Sequence, residues 1–113
     1  MSNLASKKCE PCSGNTPKLS LDEINKQLSN INLWSLNDNK EMIFKKFKFK
    51  NFKKTINFIN LIANISEEEG HHPDITFGYG YCLIMIHTHA IKGLSINDFI
   101  LASKIDQIIE QNQ

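Results

Sequence analysis

The sequence predicts an α+β fold: a two-layer sandwich with a four-stranded antiparallel sheet and three helices on one face. Apolar residues recur at helical spacing in three windows, and between them lie two pairs of β-like segments, each pair joined by a short turn-forming run. Short hairpins imply antiparallel pairing, and a single apolar stripe per helix places the helices on a shared face. With 113 residues the chain has room for one domain with a real core and too little for two.

The first element sits behind a tail. Residues 1–18 contain Cys9 and Cys12 as a lone CxxC in a polar, Pro- and Gly-containing stretch. A closed zinc site needs about four ligands, and a redox CxxC is usually set at a helix start in a βαβ context. Neither is offered here, so 1–18 reads as a flexible tail and 19–113 as the domain. Ser20 and Glu23 then form a capping box for a short helix whose apolar face is Leu21, Ile24 and Leu28. Segments 33–36 and 42–50 flank the turn cluster NDNK and read as a hairpin. Its second arm sets Phe47 and Phe49 against Lys46, Lys48 and Lys50, a solvated strand face rather than a polyanion track.

Asn51 caps a second helix running to about residue 69, with Phe52, Ile56, Ile59 and Ala63 at steps of three and four, and Phe58, Ile62 and Ile65 widening the stripe. Gly70 stops it as a left-handed cap. A second hairpin follows from Asp74 through GYG to YCLIMIHT. Its last strand points Cys82, Ile84, Ile86 and Thr88 one way, and Tyr81, Leu83, Met85, His87 and His89 the other. The β-branched set should face the helices. Cys82 is then a buried free thiol. Ser95 and Asp98 open the third helix, on which Leu101, Ile105 and Ile108 recur.

Composition narrows the function. Hydrophobic residues are 41% and charged residues 22%, a globular balance, and the formal net charge of +1 supplies no field for nucleic acid or an anionic membrane. The longest apolar run, 82–86, is far short of a membrane span, and no apolar run follows the lysines of the N-terminus. A cytoplasmic protein with a small neutral ligand or a protein partner is expected.

All four histidines lie between positions 71 and 89. Imidazole can give or take a proton near neutrality, so this clustering suggests proton transfer or metal binding. His87 and His89, two apart on a strand, could clasp a metal with help from Glu67 to Glu69. His71 and His72 are adjacent and diverge in an extended segment, which Pro73 favours. Bland readings also exist: His71 suits a helix C-terminus, Asp98 is a cap, and Tyr79 is a hairpin residue. Glu67, Glu68 and Glu69 crowd the negative end of a helix, a placement that gains nothing for stability.

The spacing from Glu67 through His71, His72 and Pro73 to Tyr79, His89 and Asp98 resembles that of the pterin-4a-carbinolamine dehydratase family. IFKKFKFKNF at 43–52, Trp34 and the last helix look like further parts of it, so the likeness covers about residues 20–109. The resemblance implies dehydration of 4a-hydroxytetrahydropterin to quinonoid dihydropterin in tetrahydropterin recycling. It implies no cofactor, the pterin being the substrate, and no metal. Carried over, His71 and His89 would be acids at the 4a-hydroxyl, His72 would bind the pterin and assist as base, and Glu67 would orient the set. Gly70, His87 and Thr88 would line the pocket, Trp34 would be a candidate wall, and Tyr79 and Asp98 would be structural. His87 departs from the small polar residue common in the family. The resemblance further implies a homodimer or homotetramer. It also raises a second function, since animal members act as dimerisation cofactors for a homeodomain transcription factor. A small histidine-rich metal-binding domain is the third reading.

Overall fold

A computed structural model describes residues 4–10 and 13–111. The elements run as helix α1 (Leu21–Leu28), strands β1 (Ser35–Leu36) and β2 (Ile43–Lys48), helix α2 (Phe52–Glu69), strands β3 (Asp74–Gly78) and β4 (Tyr81–Ile86), and helix α3 (Ile96–Gln111), with 3-10 turns at Leu4–Ser6 and His89–Ile91. The strands form one antiparallel sheet in the order β1-β2-β4-β3, so the α+β expectation stands.

Helix starts follow local chemistry. At α1 the Ser20 hydroxyl accepts from the Glu23 N–H while the Glu23 carboxylate accepts from the Ser20 N–H, the complete capping box. At α2 the Asn51 side chain accepts from Lys54 N–H. At α3 only half a box forms: Asp98 accepts from Ser95 N–H, but the Ser95 hydroxyl pairs with Thr88 instead. Three strands are shorter than expected, β2 covering only Ile43–Lys48 of the segment 42–50. Leu33, at φ +63°, breaks the extended run before Ser35, and β4 ends at Ile86 with His89 already in a 3-10 turn.

Alternation along β4 sorts the sheet faces as expected. Cys82, Ile84, Ile86 and Thr88 are fully buried on the helix side, while Tyr81, Leu83, Met85 and His87 are half-buried on the other. Burial pushes the Cys82 thiol up to about 11, consistent with a packing rather than a reactive role. Phe58 of α2 meets both Phe47 and Phe49, with ring centroids 4.9 and 5.0 Å apart, and Ile62, Phe99, Leu101 and Ile105 complete the layer between sheet and helices. The β3–β4 turn is tied to the end of β2 by a bond from Phe49 N–H to Gly80 C=O. Gly80 adopts φ +76°, and a Cβ there would stand 3.0 Å from the Phe49 carbonyl oxygen, so the turn requires glycine.

The N-terminal segment differs from the tail read from sequence. Residues 4–10 lie along α3: Leu4 is buried in the core, Lys104 Nζ donates to Ala5 C=O, and Asn97 exchanges two hydrogen bonds of 2.9 Å with the Glu10 backbone. This explains why α3 buries Asn97, Phe99, Ile100, Leu101 and Ala102 around much of its circumference rather than along one stripe. Cys9 lies in this segment, whereas Cys12 is outside the described residues. Among the described residues no helix is long and apolar enough to cross a membrane.

Candidate active site

The histidine region is built by the reversal after α2. Gly70 adopts φ +65°, and both its N–H and that of His71 return to the Ser66 carbonyl, closing the helix. Pro73 then favours an extended chain, and β3 begins at Asp74. In the β3–β4 ladder Asp74 faces Met85 and Ile75 faces Ile84. Counted on beyond the paired residues, the same register sets His72 level with His87 and His71 level with Thr88. Period-two alternation then turns neighbouring side chains to opposite sides of the sheet.

His71 and Thr88 fall on the inner side. His71 is 5% exposed, and its Nε2 lies 2.6 Å from Asp98 Oδ1. Asp98 is fully buried, and its other oxygen accepts from the Thr88 hydroxyl and from Ser95 N–H, each at 2.8 Å. One carboxylate therefore ties the post-α2 loop, the end of β4 and the start of α3 together. Charge-assisted bonds of this kind, shielded from water, are the strong class of hydrogen bond.

The outer side carries the other three histidines. His72 Nε2 is hydrogen-bonded to Glu67 Oε2, with both side chains largely exposed. His87 and His89 stack with ring centroids 4.0 Å apart, and His87 Nε2 is 3.4 Å from Asp74 Oδ2. Imidazoles and carboxylates so paired can orient ring tautomers and pass protons.

Several residues differ from their sequence-based roles. Glu67 holds His72 only; it is Asp98, read as a helix cap, that holds His71. Thr88, expected along a pocket, turns its hydroxyl inward to Asp98 and Ser95. Glu69, read as a metal-ligand candidate at the crowded end of α2, is 5% exposed at its side chain, accepts from Cys9 N–H and faces Lys104. Trp34 donates to Asp106 beside Lys45, two turns along α3 from Asp98, and does not wall the histidine region. Tyr79 is 74% exposed at the hairpin turn and packs little. Gly70 acts as the helix stop expected of it. A cleft of about 450 Å³ between the end of β2, α2 and α3 is lined by Lys48, Lys50, Lys54, Phe58 and Leu61 among others, and contains no histidine or carboxylate.

Known proteins resemble most of the chain. The family model described as pterin 4 alpha carbinolamine dehydratase matches residues 17–108. A Rickettsia bellii protein provisionally named pterin-4-alpha-carbinolamine dehydratase is 48% identical over 105 residues, covering 92% of each chain. One of the same provisional name from Halorhodospira halophila is 42% identical over 106 residues, covering 94% of this chain and 97% of its own. A crystal structure described as a transcriptional coactivator/pterin dehydratase from Brucella melitensis superposes with a TM-score of 0.78 at 29% identity, covering 81% of this chain and 98% of that one. Both the sequence and the arrangement of elements are thus accounted for by one group of proteins, and the chain belongs to the pterin 4 alpha carbinolamine dehydratase family.

Proposed function

We propose that this chain is a hydro-lyase that dehydrates a 4a-hydroxytetrahydropterin to the quinonoid dihydropterin, the recycling step that follows pterin-dependent hydroxylation. The observation that carries the reading, beside family membership, is the buried Asp98, which joins the His71-His72 segment to Thr88 between His87 and His89. Imidazoles from two distant segments are thereby held at one end of the sheet.

The reaction asks for little else. A proton is delivered to the 4a-hydroxyl oxygen, the C4a–O bond breaks and water departs. The N5 proton passes to a base, and the N–H electron pair becomes the C4a=N5 double bond. No electrons are gained or lost, so the pterin is the substrate and neither redox cofactor nor metal is needed. His89, exposed in the 3-10 turn after β4, serves as acid at the 4a-hydroxyl together with His71, whose Nε2 is engaged by Asp98. His72, steadied by Glu67, binds the pterin and assists as base. Gly70 and His87 line the approach. Each positioned acid or base is worth ~10²–10⁴ in rate.

A homodimer or homotetramer suits the half-buried Phe44, Leu83 and Met85 on the outer face of the sheet, and the balanced charge suits a cytoplasmic protein without direct nucleic-acid contact. The test is rapid mixing with freshly generated 4a-hydroxytetrahydropterin, following formation of the quinonoid product. Acceleration over buffer is expected; a rate equal to buffer overturns the assignment.

A further inference from the structure

The outer face carries a second constellation that the dehydration does not use as a unit. Among the described residues, Asp74, His87 and His89 are the one group of three potential metal-ligating side chains whose donor atoms all lie within 4.8 Å of one another. We infer that these three residues form a site for a borderline divalent transition ion, zinc being the type case, and that the bound ion silences the enzyme by occupying His89.

The backbone creates this grouping. His87 and His89 are two residues apart just past β4, His89 opening the 3-10 turn, and Asp74, paired with Met85, is the diagonal neighbour of His87 on the same face. The Asp74 Oδ2 to His87 Nε2 separation is 3.4 Å. That matches the edge of a tetrahedron with metal–ligand bonds of ~2.0–2.2 Å. The remaining closure is a rotation of side chains, because Asp74 and His89 are exposed and His87 is half-buried. Two imidazoles and one carboxylate suit zinc, copper or nickel rather than magnesium or calcium, and three protein ligands leave a fourth position for water. The alternative, an exposed His87–Asp74 ion pair beside a stacked ring, explains one contact but leaves the convergence of three donors without a role.

The consequence for activity rests on the proposed function; the binding does not. A nitrogen lone pair given to a metal is withdrawn from proton transfer, so the ion and the substrate compete for His89. The experiment is a Co²⁺ titration of the full chain, read by ligand-field absorption without substrate, followed by dehydration assays across a Zn²⁺ series. Saturable binding of one ion per chain is expected. Asp74→Ala and His87→Ser should each weaken it about tenfold or more, and His72→Ala should not. Zn²⁺ should inhibit dehydration reversibly with a chelator, and Asp74→Ala should shift the inhibitory concentration by the same factor as its Co²⁺ affinity. No saturable binding, equal affinity in the Asp74→Ala and His87→Ser proteins, or inhibition unmoved by Asp74→Ala would each overturn the inference. A metal-free wild type that fails to dehydrate counts against the proposed function alone, since the cobalt spectrum needs no turnover.

Discussion

His71 and His72 are neighbours in sequence and opposites in environment. The first is buried against a carboxylate that itself holds two further donors; the second pairs with Glu67 where both side chains meet water. One step along an extended chain turns a side chain to the other face of the sheet, so a single dipeptide supplies one fixed imidazole and one within reach of a ligand. Inner and outer histidines should therefore fail in different ways. Losses on the inner side should be felt by the whole fold, and losses on the outer side by the reaction alone.

The largest effect is expected at Asp98. Asp98→Ala leaves His71, the Thr88 hydroxyl and Ser95 N–H without their shared acceptor inside the protein, and should cost about 3–5 kcal/mol in denaturant unfolding along with activity. Asp98→Asn separates the two losses. Its amide oxygen can still accept from Thr88 and Ser95, while its NH₂ faces His71 and demands the opposite ring tautomer. Most of the stability should return and the activity should not. If Asp98→Asn restores both, Asp98 is only a brace and the inner histidine has no part in the reaction.

His89→Ala should show the reverse pattern. The side chain is exposed, so the free energy of unfolding should stay within about 0.5 kcal/mol of the wild type, while kcat falls by ~10²–10⁴. Equal loss of stability and activity would erase the distinction between the two sides of the sheet.

Much of this architecture is legible in the sequence. Capping boxes, the glycine stop and the alternation of β4 are local signals, and each element they announce is present near its expected bounds. Two features are not local. Asp98 explains itself as a cap, and nothing within its own helix reveals that His71, 27 residues earlier, will approach its other oxygen. The segment 4–10 has the composition of a tail, and its place on α3 depends on Asn97 and Lys104, far along the chain. The unusually wide apolar circumference of α3, from Phe99 to Ala102, is the one local hint that a second surface must cover it. The metal-type grouping is half visible in the spacing of His87 and His89. Its third member is Asp74, brought in by strand register, rather than a glutamate of the helix.

The smallest effect is expected at Glu67, and it is the most discriminating for the outer side. Glu67→Gln keeps the shape and removes the charge that steadies His72. An exposed pair of this kind contributes ~1 kcal/mol at most, so kcat should fall no more than about fivefold and stability should hardly change. Because the pair is bathed in solvent, the ratio of wild-type to Glu67→Gln rates should shrink as ionic strength rises, whereas the Asp98→Asn deficit, shielded from counterions, should not. A Glu67→Gln deficit as deep and as indifferent to salt as that of Asp98→Asn would mean that substrate binding buries the His72–Glu67 pair, and that the outer site closes on the pterin during turnover.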